Sequence, residues 1–422
     1  MTRLLRWALA LATLAALSAV AVAWLNLRGE APVSDEPPTA RAADATTRAR
    51  GAQLALQGHC AGCHTAAGGA PYAGGRAIVT PFGRVYAGNL TPDVATGLGT
   101  WNADHFWRAL HHGRSRDGRL LNPAFPYPNY THISRADSDA LYAWLRSLPP
   151  VAQDQPPHTL RWFAGTQPAL ALWRALYFRA GGAPSDPARS AELNRGATLA
   201  QGLGHCSACH APRNALGATV DANDLSGATM PDGRWWAPSL HAADEAGVAH
   251  WPRADVVALL RDGHAPGGVA LGPMATVVAG SLQHWPEADL QALAAWLQAL
   301  PPDKAPRSPV EAAPAATLDA GAALYKTHCA DCHGDSREGR APAYPPLAGH
   351  RTVLMARPNN LVRAIVEGGF GPATPGHPQP YGMPPFGHVL NDEQIAALAT
   401  WLRQAGPAKA AAVWPLDVQR LR

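Results

Sequence analysis

Three short stretches decide the fold: CAGCH at residues 60–64, CSACH at 206–210 and CADCH at 329–333. In each stretch two residues separate a pair of cysteines, and a histidine directly follows the second cysteine. The three stretches use all six cysteines of the chain. Any interpretation must therefore explain the spacing of the cysteines and the presence of the histidine together.

This spacing fits the covalent attachment of haem. Two thiols one helical turn apart can add to the two vinyl groups of one porphyrin, and the adjacent histidine lies under the ring, where its imidazole can bind iron. We therefore predict three covalently bound haem c groups. Attachment is expected at Cys60, Cys63, Cys206, Cys209, Cys329 and Cys332, and iron ligation at His64, His210 and His333.

Other uses of paired cysteines explain less of the pattern. A disulfide framework is typical of small secreted chains and does not require a histidine after every second cysteine. A zinc ribbon joins two Cys-x-x-Cys units, so three units would leave one unpaired. A thioredoxin-type redox pair gives no reason for the histidine either.

The composition indicates a loop-rich protein of several domains. Gly and Pro together make up 80 of 422 residues, or 19%, and charged residues make up 16%, against usual values of about 12% and ~25%. A hydrophobic share of 47% excludes disorder, and a net charge of +4 is too small to indicate nucleic acid as a partner. Domains this small have marginal cores, which a porphyrin would complete.

An apolar segment near the N-terminus predicts a membrane anchor. Trp7 to Leu25 are 19 uncharged residues that follow Arg3 and Arg6, and a membrane-spanning helix needs about 20. An Ala-Val-Ala sequence at 21–23 leaves a cleaved signal peptide as the alternative. We expect an anchor at 1–28 in the bacterial cytoplasmic membrane, a flexible tether at 29–46, and haem domains in the periplasm.

The sequence around each motif repeats one plan. A short helical pattern precedes each Cys-x-x-Cys-His, and a segment that opens with acidic residues and stops at Pro or Gly-Pro predicts a closing helix. The fold class expected is all-α, with three tandem cytochrome c-like haem domains after the N-terminal helix. The expected boundaries are 47–150, 189–302 and 317–406 for the domains, 151–188 and 303–316 for the linkers, and 407–422 for a C-terminal tail.

The first linker contains a dense apolar run, LRWFAGTQPALALWRALYF at 160–178. We interpret this run as a strap packed across the boundary between two domains. The alternative is a docking face for a partner subunit or for the membrane surface.

The positions of the five methionines bear on the sixth iron ligand, because a thioether opposite histidine is usual in electron-transfer haems. Met274 and Met383 lie at equivalent places in the second and third repeats, so we predict that both are ligands. No methionine lies between Leu27 and Leu160, and Phe125 stands at the equivalent place.

The sixth position of the first haem is therefore either empty or filled by a nitrogen ligand. The candidates for that ligand are His105, His111, His112 and His132. His132 is the first choice, because it lies closest in sequence to the loop of Phe125. We predict that this haem has the lowest potential of the three or is partly high-spin.

Longer stretches around these motifs resemble the membrane-bound triple-haem cytochrome c subunits of periplasmic dehydrogenases. They include CAGCHTAAGGAPYAGGR at 60–76, RGATLAQGLGHCSACHAPRNALG at 195–217 and GPMATVVAGSL at 272–282. The resemblance implies the ligand set predicted above and a catalytic dehydrogenase as partner. Alcohol dehydrogenase members carry Met in a PAMPY motif, whereas this chain has PAFPY. That difference favours subunits that accompany molybdenum hydroxylases of the isoquinoline oxidoreductase kind over those of quinoproteins or flavoproteins.

We therefore predict an electron-transfer subunit that does not itself oxidise a substrate. The sequence has no dinucleotide-binding glycine motif, nucleophile elbow or phosphate-binding loop lysine. Electrons would pass from a dehydrogenase acting on an alcohol, aldehyde or N-heterocycle to quinone, a terminal oxidase or a soluble carrier. The alternative is a self-sufficient haem enzyme, such as a peroxidase, that uses the first haem, which lacks a methionine.

Overall fold

The computed structural model describes residues 2–34, 44–161, 163–182, 185–303, 310–341, 343–379 and 381–422. Parts of the predicted tether at 29–46 and of the linkers at 151–188 and 303–316 lie outside these residues. Helices form most of the fold. The strands within the described residues are two to four residues long and pair in small antiparallel sheets.

The first helix, α1 (Arg3–Leu27), is long and apolar enough to cross a membrane, and its most apolar window is not buried against the rest of the chain. A signal sequence has the same properties, so α1 fits both interpretations of the N-terminus.

The first repeat runs from α2 to α6 and surrounds the first motif. In it α2 (Ala45–Gln57) packs against α6 (Arg135–Leu145), and α6 also contacts α4 (Ala103–His112). The elements are α2 (Ala45–Gln57), α3 (Cys60–His64), β1 (Ala77–Thr80), β2 (Gly83–Tyr86), α4 (Ala103–His112), α5 (Tyr127–Tyr130) and α6 (Arg135–Leu145).

The segment that follows the first repeat contains β3 (Thr159–Leu160) and α7 (Gln167–Tyr177). β3 pairs antiparallel with β2, which extends the hairpin of β1 and β2 to three strands. The Trp173 indole donates to the carbonyl of Leu216 at 3.0 Å, in the loop after the second motif. This segment therefore contacts both the first and the second repeat, and its role as a strap stays a prediction.

Helix α7 also holds the C-terminal end of α1. The side-chain NH2 group of Asn26 donates to the carbonyl of Ala171 at 2.9 Å. Its side-chain oxygen accepts from the guanidinium of Arg174 at 2.9 Å. Arg174 is 4% exposed and donates as well to the carbonyl of His112. The outer face of α7 leaves Leu172 and Leu176 exposed.

The second repeat runs from α8 to α12. Its elements are α8 (Ala191–Gln201), α9 (Ser207–His210), β4 (Ala228–Thr229), β5 (Trp236–Ala237), α10 (Arg253–Asp262), β6 (His264–Ala265), β7 (Gly268–Val269), α11 (Gly272–Gly280), a 3-10 turn (Leu282–His284) and α12 (Glu287–Gln298).

The third repeat runs from α13 to α17, and the chain ends in α18. Val418 and Leu421 of α18 are buried in the same apolar cluster as Ile395 of α17, so residues after 407 pack onto this repeat. The elements are α13 (Ala315–His328), α14 (Ala330–His333), α15 (Arg351–Leu354), α16 (Asn359–Glu367), β8 (Gly369–Phe370), β9 (Gly382–Met383), α17 (Asp392–Gln404) and α18 (Pro415–Leu421).

One helix crossing recurs in all three repeats. The helix before each motif packs against the closing helix at a glycine, and a Cβ on that glycine would overlap a carbonyl oxygen and a tryptophan Cβ of the closing helix. Glycine is required at these positions because of this close approach. The glycine-to-tryptophan Cβ distances would be 2.6 Å for Gly51 and Trp144, 2.6 Å for Gly196 and Trp296, and 2.5 Å for Gly321 and Trp401.

Each repeat has its own cluster of buried apolar side chains, and one cysteine of each motif packs against the cluster of its repeat. The assignment of these repeats as three independent domains stays a prediction.

Candidate haem sites

Each Cys-x-x-Cys-His motif forms one short helical turn that directs its side chains to a common side. In the second and third motifs the histidine amide donates to the carbonyl of the first cysteine, at 2.9 Å in both Cys206 and Cys329. The residues before the first two motifs, His59 and His205, have positive φ angles of 51° and 35°. This left-handed backbone ends the preceding helix segment and lets the motif start a new turn.

The three motif histidines share one hydrogen-bonding arrangement. In each, Nδ1 lies beside a backbone carbonyl of the following loop, which leaves Nε2 free for a metal ion. The carbonyl fixes the tautomer with the proton on Nδ1 and also fixes the direction of the ring. The Nδ1-to-oxygen distances are 2.7 Å from His64 to Gly88, 2.7 Å from His210 to Pro238, and 2.9 Å from His333 to Pro345.

Burial lowers the pKa of His64, His210 and His333 below the usual value for histidine, although the carbonyl contact works in the opposite direction. The imidazoles are therefore neutral at neutral pH. A neutral imidazole is the form that binds a metal ion.

The cysteines of the three motifs are free thiols. All six lie in the described part of the chain, and none forms a disulfide. Burial raises the pKa of Cys60 and Cys206 to about 12 and that of Cys329 to about 11. A redox-active Cys-x-x-Cys pair has a lowered pKa instead, so the thiols do not fit the thioredoxin alternative.

The second motif opens onto a cavity of about 210 Å³ lined by Cys209, His210 and Met274. Met274 lies at the start of α11, and its side chain packs against the apolar cluster of the repeat. Met230 and Met355 line the same cavity. The structure therefore places three thioethers around this site.

The third motif opens onto a larger cavity of about 450 Å³, lined by both cysteines, His333 and Met383. Met383 lies on β9, which pairs with β8. Each cavity thus brings a motif histidine and the predicted methionine to the wall of one apolar space. These donor sets and apolar spaces fit a haem group.

The first site is aromatic where the others have methionine. Phe125 packs against Tyr130 with ring centroids 5.4 Å apart, and the Tyr130 hydroxyl donates to the carbonyl of Gly58 at 3.2 Å. Burial, followed by the neighbouring Cys60 and Cys63 thiols, raises the pKa of Tyr130 well above its usual value. Tyr130 therefore lies close to the attachment cysteines, where the sequence did not single it out.

The histidines considered for the first haem lie in different surroundings. Nδ1 of His132 is 2.7 Å from the carbonyl of Gly182 in the strap. His105 lies in the first turn of α4, where its Nδ1 accepts from the amide of Asn102. His111 stacks on Trp107 with centroids 4.2 Å apart, and burial lowers the pKa of His112 to about 4. Ligation by His132 stays a prediction.

Two further features of these sites were not found from the sequence. The glycines at the helix crossings occupy equivalent positions in RARGAQ, LNRGAT and LDAGAA, so aligning the three repeats could have found them. His350 lines both cavities and has no counterpart in the motifs that could have indicated it.

Comparisons with known proteins agree with this geometry. Residues 48–149 and 318–406 match the cytochrome c family. The chain is 40% identical over 403 residues to a subunit of nicotinate dehydrogenase from Pseudomonas putida, covering 92% of this chain but only 32% of that protein. The chain therefore spans about a third of the length of this relative.

Two relatives match over most of their own length. The cytochrome c subunit of a quinone-dependent alcohol dehydrogenase from Gluconacetobacter polyoxogenes is 34% identical over 402 residues, which are 90% of this chain and 85% of that subunit. The gluconate 2-dehydrogenase cytochrome c subunit of Pantoea cypripedii is 35% identical over 397 residues, which are 88% of this chain and 89% of that subunit. The resemblance stated from the motifs is confirmed, and the chain belongs to the family of dehydrogenase cytochrome c subunits that carry covalent haem c.

Proposed function

We propose that this protein is a triple-haem electron carrier that accepts electrons from a partner dehydrogenase and passes them to the respiratory chain. The observation that carries the proposal is the arrangement shared by the three motifs, in which each histidine has Nδ1 held by a loop carbonyl. When bound, haem c supplies a one-electron iron couple at each site.

The chain's own residues would hold and tune these groups. Each pair of cysteines anchors one porphyrin, and His64, His210 and His333 present Nε2 to the iron. Met274 and Met383 are the proposed sixth ligands of the second and third haems, and His132 remains the candidate for the first. The apolar walls of the sites exclude water and so influence the potentials.

Contacts between the repeats support a route for electrons along the chain. The cavities at the second and third motifs share a wall that includes Trp235 and Leu271. Between the first and second motifs, burial raises the pKa of the Cys209 thiol, and the nearby Cys63 thiol raises it further. These neighbours fit haems placed for exchange from one repeat to the next.

The proposed partner is a dehydrogenase that oxidises an N-heteroaromatic compound, of the molybdenum hydroxylase class. The nicotinate dehydrogenase relative matches 92% of this chain, and Phe125 replaces the methionine of alcohol dehydrogenase subunits. Quinone, a terminal oxidase or a soluble carrier would accept the electrons. The named relatives do not favour the alternative of a self-sufficient peroxidase.

The proposed location is the periplasmic face of the bacterial cytoplasmic membrane. Helix α1 supports this proposal, because it has the length and the apolar character of an anchor. A fusion of a periplasmic reporter after residue 34, combined with membrane fractionation, would test both the location and the retention of α1.

A haem count with cysteine variants tests the proposal directly. The purified protein is expected to yield three haems per chain by pyridine haemochrome assay. Each double variant, C60A/C63A, C206A/C209A or C329A/C332A, should lose one haem. The wild-type haems should then be reduced when the partner dehydrogenase and its substrate are added. Two haems in the wild type, or substrate oxidation by this chain alone, would contradict the proposal.

A further inference from the structure

The wall between the second and third cavities contains one titratable side chain among the residues that the structure describes. Five of these residues line both cavities, and four of them cannot gain or lose a proton near neutral pH. The fifth is His350, which precedes α15 and is a short distance in sequence after the third motif. The shared residues are Trp235, Val269, Leu271, His350 and Thr352.

Contacts within the protein fix the tautomer of His350. The amide of Thr352 donates to Nδ1 of His350 at 3.2 Å, so Nδ1 is an acceptor without a proton. In a neutral imidazole the proton then lies on Nε2. Burial, followed by the charges of Arg351, His333 and His264, lowers the pKa of His350 to about 4, so that the ring is neutral at neutral pH.

The Nε2–H of His350 lacks an acceptor within the described ranges of the chain. The Nε2 atom is shielded from solvent and has no hydrogen-bond partner there. A buried donor without an acceptor costs free energy, and in folded proteins nearly all such groups are paired. The two cavities beside the ring are therefore the natural source of an acceptor.

The charges around His350 favour an acidic acceptor. At neutral pH the positive charge beside the ring comes from Arg351, because burial lowers the pKa of His333 and of His264. Arg351 stacks over the indole of Trp251 at 4.3 Å, which holds its guanidinium at the wall of the second cavity. A carboxylate in this position would accept from Nε2–H and lie close to the positive charge of Arg351. Each haem carries two propionate carboxylates.

We propose that His350 binds a haem propionate at the wall between the second and third sites, through a hydrogen bond from Nε2–H to a carboxylate oxygen. This inference rests on the proposed haem loading of both sites. His350 is then a positioning residue that acts on iron through the porphyrin. A donor to the propionate reduces the negative charge felt by the iron, so the bond raises the potential of that haem.

Two substitutions separate the donor on Nε2 from the acceptor on Nδ1. In H350N the side-chain oxygen can still accept from the amide of Thr352, because asparagine is a favoured N-cap residue, but no donor reaches the place of Nε2. In H350Q the longer side chain carries an amide N–H to that place and gives up the cap. Spectroelectrochemical titration of the fully loaded wild type and of both variants measures each haem potential.

In H350N we expect a lower potential for the second or the third haem, whichever holds the bound propionate, while the first haem is unchanged. H350Q should restore part of the loss. Unchanged potentials in H350N would overturn the proposal, and so would an equal shift of all three haems. A haem count of three in the wild type separates this failure from a failure of the proposed function.

Resonance Raman spectroscopy keeps the test valid if H350N fails to fold. In the wild type, a propionate bending band should shift when water is replaced by D2O, because Nε2–H exchanges for Nε2–D. A band that does not shift would overturn the proposal without any variant. H350F, which has a ring but no donor, should show the D2O-insensitive band.

Discussion

Among single residues, Met274 offers the sharpest test, because Met230 and Met355 line the same cavity. Met274 is the one that occupies the place equivalent to Met383 of the third repeat. A thioether opposite histidine raises the haem potential, whereas a second histidine lowers it. We predict that M274H lowers the potential of the second haem, within the ~0.8 V range that axial ligands span. Redox titration followed by absorbance measures the change.

The two neighbouring methionines supply the matched controls. Met355 is 5% exposed and packs in the wall, so M355L should keep both the potential and the thioether-to-iron charge-transfer band of the ferric protein. M230L should do the same. The third haem contributes to the same band through Met383, so the readout is the intensity of the band. A fall to about half in M355L, with full intensity kept in M274H, would assign the ligand to Met355 instead.

We propose that Phe125 makes the first haem differ from the others. Its ring packs against Tyr130, close to the attachment cysteines. A methionine at this position could reach the iron, as the PAMPY motif of related subunits suggests. We predict that F125M raises the potential of the first haem and converts any high-spin fraction to low-spin. Magnetic circular dichroism should then count three His/Met haems instead of two.

F125L is the control for this change, because it alters the packing and adds no sulfur. Three His/Met haems in the wild type would contradict the prediction, as would a potential in F125M equal to that in F125L.

At the scale of helices, the glycine crossings limit what each repeat tolerates. A Cβ on Gly196 would lie 2.6 Å from the Cβ of Trp296, and a carbonyl oxygen of α12 would be closer still. Backbone cannot yield as a flexible side chain can, and overpacking a tight contact costs about 1–3 kcal/mol or more. We predict that G196A lowers the free energy of unfolding by at least about 1 kcal/mol. Denaturant titration of the wild type and the variant measures this change.

Gly182 supplies the control for this substitution, since a Cβ there would meet no atom within 4 Å. G182A should change the free energy of unfolding by a few tenths of a kcal/mol at most. Equal stabilities of G196A and G182A would show that α8 and α12 can separate without cost.

The sequence predicted the closing helices well because their signals are local. Acidic first turns and a following Pro or Gly mark α12 and α17, and these signals depend on neighbouring residues alone. The contact of α7 with α1 through Arg174 and Asn26 was not predictable in this way. It joins residues almost 150 positions apart, and a polar pair in two apolar segments carries no periodic signal.

The same difference between local and long-range signals applies to the candidate sites. Cysteines and histidines within one motif were predicted because covalent chemistry fixes their spacing. Their carbonyl partners at Gly88, Pro238 and Pro345 lie 12 to 28 residues downstream, at distances that differ between the repeats. His350 was missed for another reason: its importance comes from two cavities that adjoin only in the folded chain.

Across the whole molecule, polar contacts join each repeat to the next. Two hydrogen bonds join the first and second repeats at Gln57. The Ser281 hydroxyl donates to the backbone carbonyl of Gln57 at 2.8 Å, and the side-chain amide of Gln57 donates to the carboxylate of Asp289 at 2.8 Å. Both Ser281 and Gln57 are buried. Since buried polar groups left without partners are costly, these contacts favour one relative position of the two repeats.

The junction of the second and third repeats depends on Asn360, which pairs with the backbone of Trp236 at two points. Its side-chain oxygen accepts from the Trp236 amide at 2.9 Å, and its amide donates to the Trp236 carbonyl at 2.8 Å. N360A leaves both backbone groups unpaired, at a cost of about 1–3 kcal/mol each if water cannot reach them. We predict that the third repeat then unfolds separately, giving two calorimetric transitions.

Asn359 provides the graded control, because its side-chain amide donates to the carbonyl of Arg234 at 3.1 Å and does not bridge two backbone groups of one residue within the described part of the chain. N359A should weaken the junction less and keep a single, slightly broader transition. The haem content must stay the same in all three proteins, since Asn360 lines the wall of the second cavity. One unchanged transition in N360A would contradict this prediction. The junction would then be held without the asparagine by other contacts, such as the stacking of Arg357 over Trp236 at 4.5 Å. In that case electron exchange between the second and third haems should be as fast in N360A as in the wild type.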